Sequence, residues 1–295
     1  MFPIIPANSA AVSGNTEGIF GGSSSVAYTN LVSNTGVVAS DVTGVGTARG
    51  SLSACEYGGD KGIFGYGSPP GTGTNTINLV SNVGVVQSDS AGAGTGRVGS
   101  MACSYGGDKG IFGFGWCGHS CSYTNVTNKV SNAGVVASDT AGVGAARYYG
   151  AACEYGDDRG IFGYGSWSPG MANMTNKVSD AGVVASDTTG VGTGRNTLAA
   201  CSYGGDKGIF GYGSGGISAT NLVSNTGTVQ SDVTGIGTDR TNLAATQYGG
   251  NKGIFGFGSG GVSITNLVSS GGVVASDQAA TTGSARTSLA ACSFN

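Results

Sequence analysis

The chain has 295 residues, 59 of them Gly, a formal net charge of -3 and only 10% charged residues. Its 13 basic residues are spread thinly along the sequence, so no basic stripe exists to follow a phosphate backbone, and nucleic acid is not an expected partner. No run of 18 apolar residues offers a membrane-spanning helix, and the Gly excess has neither a collagen period nor a disordered-type charge, so the chain is expected to fold.

Residues 1–16 hold no repeat and read as an N-terminal arm. The opening MFPIIPANSAAVSGN lacks the positive n-region and apolar core of a signal peptide, which points to synthesis in a reducing cytoplasm. From residue 17 to 295 one block recurs six times. Its marker GIFG begins at Gly18, Gly62, Gly110, Gly160, Gly208 and Gly253. A run of small residues surrounds Cys55, Cys103, Cys153, Cys201, Thr246 and Cys292. The first GIFG has no such run before it, and the last run has no GIFG after it. A linear stack has no need of complementary half-repeats, whereas a closed circle joins its ends through them. The expected fold is therefore all-β: a six-bladed β-propeller of four-stranded antiparallel blades, closed by pairing of the C-terminal strand with the N-terminal blade.

The fourth GIFG unit shows the elements in order. AACEYG (151–156) and GIFGYG (160–165) read as two strands around a tight turn, then TNKVS and VVASD as two more around DAG. Small side chains place the AAC-type run innermost, where strands converge. Gly alternating with Ile, Phe and Tyr lets neighbouring sheets approach while large groups fill the wedge between them.

The stretch TARGSLSACEYGGDKGIFGYG, from Thr47 to Gly67, has an Arg before the inner strand and a Gly-rich doublet ending the next. In this it resembles the Kelch repeat, over roughly Glu17 to Phe294. The resemblance implies a propeller closed by its C-terminal strand, and it implies no single function. The chain departs from Kelch in lacking the Trp of the outer strand and in having GYG or GFG in place of GG. The wording of the repeats also resembles that of repeat proteins from marine tailed phages.

Each repeat carries an Asp followed eight or nine residues later by an Arg: Asp41 and Arg49, Asp89 and Arg97, Asp139 and Arg147, Asp187 and Arg195, Asp232 and Arg240, Asp277 and Arg286. Sixfold recurrence points to a framework role, a bracket tying the loop between outer and inner strands by charge-assisted hydrogen bonds. The recurrent Asn30, Asn78, Asn128, Asn176, Asn221 and Asn266 read the same way. Asp60 and Lys61 read as a solvated hairpin tip. The five inner-strand cysteines read as small buried hydrophobes, since blade rotation points them away from one another. Cys117 and Cys121 stay open among three readings: metal ligands with His119, a local disulfide, or free thiols.

The loop after GIFGYG is the segment that departs from the repeat, with WCGHSCSYTNV in the third unit and SWSPGMANM in the fourth. It is expected to gather Trp116, His119, Tyr123, Trp167 and Met171 on one sector of one rim as a ligand-binding patch. No catalytic set remains once framework residues are set aside, and neither a cofactor nor a metal is the expected partner. The expectation is thus a non-enzymatic structural or adhesion module. It is read as a phage virion component (tail tip, fibre or decoration protein) binding a surface glycan or a neighbouring virion protein. The alternatives are a Kelch-like intracellular protein-binding module and a glycan-processing enzyme. Perturbed carboxylates in a central channel would favour the enzyme.

Overall fold

A computed structural model describes residues 15–69, 73–118, 122–215, 217–260, 262–278 and 283–295. Among them the chain is all-β, without helices, in small antiparallel sheets of three or four strands. Strands β1 (Glu17–Gly21) and β2 (Thr29–Val32) share a sheet with the last strand, β19 (Ala290–Phe294). Next comes β3 (Ser53–Tyr57), β4 (Lys61–Gly65), β5 (Thr76–Val80) and β6 (Ser90–Ala91). Sheets of three follow: β7 (Met101–Tyr105), β8 (Lys109–Trp116), β9 (Tyr123–Val130); β10 (Ala151–Tyr155), β11 (Arg159–Ser166), β12 (Met171–Val178); β13 (Ala199–Tyr203), β14 (Lys207–Gly211), β15 (Thr220–Val223); and β16 (Ala244–Tyr248), β17 (Lys252–Gly256), β18 (Thr265–Val268).

The alternation in the small-residue runs sets their two faces. Cys153 and Tyr155 are buried while Ala152 and Glu154 are partly open, as period two demands. The GIFG strands are buried on both faces, and their glycines are where neighbouring sheets touch. A Cβ on Gly163 would stand 2.7 Å from Cζ of Phe210 in the next sheet. The core accordingly lies between sheets: Cys153, Ile161 and Tyr164 pack with Leu198, Phe210 and Val223. Ile19, Cys292 and Phe294 pack in the same manner with Leu52, Phe64 and Val80. Cys55, Cys103, Cys153, Cys201 and Cys292 are free and buried.

The two ends of the chain meet in one register, from Glu17 opposite Phe294 to Gly21 opposite Ala290. Backbone bonds also run from sheet to sheet just before each inner strand. Gly99 N donates to Ser51 O (2.8 Å), Tyr149 N to Gly99 O (2.8 Å) and Thr197 N to Tyr149 O (2.7 Å). The series continues from Asn242 N to Thr197 O, Ser288 N to Asn242 O and Ser51 N to Ser288 O, each 2.9 Å.

The expectation of four strands per sheet needs correction. Among the described residues only one sheet has a fourth, the two-residue β6; elsewhere the VVASD segment is held by isolated bridges, such as Val178 to Val184 and Thr175 to Thr188. Between those bridges the outer segment spends one residue more than its partner, a bulge that breaks the ladder. The Asn176 side chain fills the gap, its Nδ2 donating to Ala185 O (3.0 Å) and Asp187 Oδ1 (2.9 Å).

Candidate binding site

The Arg residues fix the loops that surround the inner strands. Arg147 precedes β10 and is fully buried. Its Nε donates to Tyr164 O (2.9 Å), its Nη2 to Asn176 Oδ1 (2.5 Å), and its Nη1 lies 3.6 Å from Asp187. Its guanidinium also sits 4.2 Å from the centroid of Phe114 in the preceding sheet. Burial pulls Arg147 down to about 10, with Asp187 pulling the other way, so it stays charged at neutral pH.

The pairing differs from the sequence expectation. Arg49 pairs with Asp89 (3.3 Å), not Asp41, and Asp41 pairs with Arg286 (3.2 Å) from the far end of the chain. Arg97, Arg147, Arg195 and Arg240 likewise take Asp139, Asp187, Asp232 and Asp277. The physical reason is the strand order: the loop after one outer segment delivers its Arg to the next sheet, where the Asp of that sheet receives it. The same Asp holds the loop backbone, as Thr95 N and Oγ1 donate to Asp139 Oδ2 at 3.0 and 2.6 Å. Burial alone would raise Asp139, but bonds from Thr95 and Asn128 outweigh it and keep the carboxyl below its usual range. At the opposite end, Asp60 and Lys61 form a half-exposed pair at 2.7 Å.

Between the inner strands runs a channel. On the loop side its mouth is a cavity of about 70 Å³ lined by Ser51, Gly99, Tyr149, Thr197, Asn242 and Ser288, among others. Alanines, Ala54 and Ala152 among them, line the middle. Beyond the alanines come Glu56, Ser104, Glu154, Ser202 and Gln247. Burial raises Glu56 to about 6, against hydrogen bonds from Ser293. Burial also lifts Glu154 well above the ordinary range, reinforced by the charges of Glu56, Asp157 and Asp158. At the strand rise, these carboxyls stand roughly 15 Å down the channel from Tyr149.

At the mouth the structure assembles an aromatic shelf. Tyr123 stacks on Tyr148 with centroids 5.0 Å apart and planes at 13°, and Tyr148 meets Tyr149 at 4.6 Å. Tyr149 continues to the mouth, its hydroxyl 3.3 Å from Ser51 Oγ. All three tyrosines are half-buried, offering part of each ring to solvent. Of the residues expected at the rim, Trp116 lies opposite Tyr123 in the pairing of β8 with β9. Trp167 follows β11, and half-exposed Met171 opens β12 beside Ser214. Cys117 is disulfide-bonded, while His119 and Cys121 lie outside the described residues.

Sequence reasoning missed Tyr148 and Tyr149. Their signal was present: this is the one repeat that puts two aromatics between the Arg and the inner strand, where the others have Gly, Ser, Val, Thr or Asn. Glu56 and Glu154 carry no comparable signal, since Ser104, Ser202, Gln247 and Ser293 hold the same place in the other repeats. No family model matches the chain, and no curated protein matches it either.

Proposed function

We propose that this chain is a six-bladed, Kelch-like β-propeller serving as a non-enzymatic binding module, and that its loop face takes a saccharide. The observation that carries the reading is the shelf of Tyr123, Tyr148 and Tyr149 leading into a mouth of hydroxyl and amide groups. Flat aromatic faces cover the apolar face of a sugar ring, and Ser, Thr and Asn exchange hydrogen bonds with its hydroxyls. The toroidal part of the proposal is supported by the pairing of β1 with β19 and by the six sheet-to-sheet bonds that begin and end at Ser51. Placement in a phage virion that adheres to a host surface completes the proposal and stands on the wording of the repeats.

One observation favours the glycan-processing alternative: two carboxyls with raised proton affinity share the channel. At the strand rise they stand roughly 15 Å from the shelf, so a saccharide held on the loop face is not in contact with them. Incubation with a panel of bacterial surface polysaccharides separates the readings. Retention on one polysaccharide without release of reducing ends is the expected result. Hydrolysis that is lost in Glu154→Gln would overturn it in favour of an enzyme.

A further inference from the structure

Five of the six sheets place an aromatic side chain immediately after the GIFG motif: Tyr66, Phe114, Tyr164, Tyr212 and Phe257. Each holds a left-handed backbone, with φ between 61 and 63°, a conformation costly for a bulky residue. Each earns its place by the same contacts. Its ring meets a Phe of the next sheet edge-on, as Tyr66 meets Phe112 at 5.0 Å and Tyr164 meets Phe210 at 5.1 Å. The Arg of that next sheet covers it, Arg97 lying 4.0 Å and Arg195 4.4 Å from those two ring centroids. Where the residue is Tyr, its hydroxyl donates to a loop carbonyl: Ala93 O (3.2 Å), Val191 O (3.1 Å) and Ile236 O (3.0 Å).

The first sheet has Gly22 at this position, also left-handed at φ 82°. The rest of the setting is intact. Arg49 and Phe64 stand to Gly22 as Arg97 and Phe112 stand to Tyr66, and Val45 occupies the place of Ala93, Val191 and Ile236. Gly22, Arg49, Leu52, Phe64 and Val45 line a cavity of about 30 Å³ that opens to solvent beside exposed Val45. That space holds about two waters, less than a ring. The shortfall is Leu52, whose Cδ2 lies 2.8 Å from where a Cβ on Gly22 would be. Leu198, Leu243 and Leu289, its counterparts, pack in the same core clusters as Tyr164, Tyr212 and Phe257, so a leucine here is compatible with a ring.

We propose that this cavity is a binding site for a small phenol, which takes the place of the missing sixth side chain. Its ring lies against the Arg49 guanidinium and the edge of Phe64, and its hydroxyl donates to the Val45 carbonyl. The site is independent of the saccharide face proposed above.

The test uses 4-methylphenol, the side chain of Tyr, on the whole protein. The melting temperature should rise with millimolar 4-methylphenol, and toluene should bind about tenfold more weakly for want of the hydroxyl. Gly22→Tyr should melt higher than the parent and no longer respond. Should that variant misfold, Tyr66→Gly provides the reciprocal: it opens the same cavity in the second sheet, and 4-methylphenol should restore part of the lost stability. No response of the parent up to solubility, or a response unchanged in Gly22→Tyr, overturns the proposal.

Discussion

At the scale of single residues, the Arg and Asp brackets carry the most testable claim. A buried guanidinium needs a counter-charge and hydrogen-bond acceptors, and each Arg finds an Asn oxygen and an Asp in the sheet it enters. Double-mutant cycles on thermal stability should therefore show Asp89 coupled to Arg49, and Asp41 coupled to Arg286, by about 0.5–3 kcal/mol. Asp41 and Arg49, neighbours in sequence, should be additive within about 0.5 kcal/mol. The recurrence of Asp and Arg was legible from the sequence and pointed to a framework role. Which Asp meets which Arg was not, because the partner is set by the sheet that the loop enters rather than by separation along the chain.

Glu56 and Glu154 give a second prediction at this scale. Their folded affinities for protons are raised, so the stability they allow is fully present below the unfolded value near 4.3 and is lost as pH rises, through about 6 for Glu56. The lowered Asp41, Asp89, Asp139, Asp232 and Asp277 act in the opposite sense and weaken the fold only as pH falls below the ordinary Asp range. The melting temperature should thus be higher at pH 5 than at pH 8. Glu56→Gln should gain about 2 kcal/mol at pH 8 and nothing at pH 4, and Gln247 already stands at the equivalent place in its own strand. A melting profile in which Glu56→Gln and the parent run parallel from pH 4 to 8 would contradict this.

Among the elements, the inner two strands of every repeat were the most legible. Small residues alternating with Cys and Tyr, then GIFG after a Gly and Asp turn, leave little freedom of register. The outer strand was overread: VVASD has the β-branched composition of a strand, but a one-residue bulge and an Asn side chain take over its pairing. That exchange leaves no trace in composition. The loops after β8 and β11 were rightly marked as departures from the repeat. The aromatic shelf, however, draws Tyr148 and Tyr149 from the strand-entry loop of the fourth unit, which carries no insertion to mark it. Replacing Tyr148 and Tyr149 together with Ala should weaken saccharide retention by at least about 1 kcal/mol, measured by titration calorimetry. Trp167→Ala, outside the stacked series, should change it by less. Equal losses from both variants would spread the binding face over the whole rim.

For the whole molecule, the half-repeats at the two ends are the organising fact. β19 supplies the innermost strand of the sheet that β1 begins, and Asn295 N donates to Asp60 O at 3.0 Å, so the last residue touches the next sheet as well. Phe294, Cys292 and Leu289 fill cores on both sides of that sheet. The proposed closed architecture makes every wedge between sheets depend on its neighbours, so loss of one inner strand opens two of them. The most direct measurement is calorimetric unfolding of a chain that ends at Arg286, which keeps the pair with Asp41 but removes β19. The proposed architecture requires that the cooperative transition vanish. A truncated chain that melts in one transition at the temperature of the full protein would contradict it.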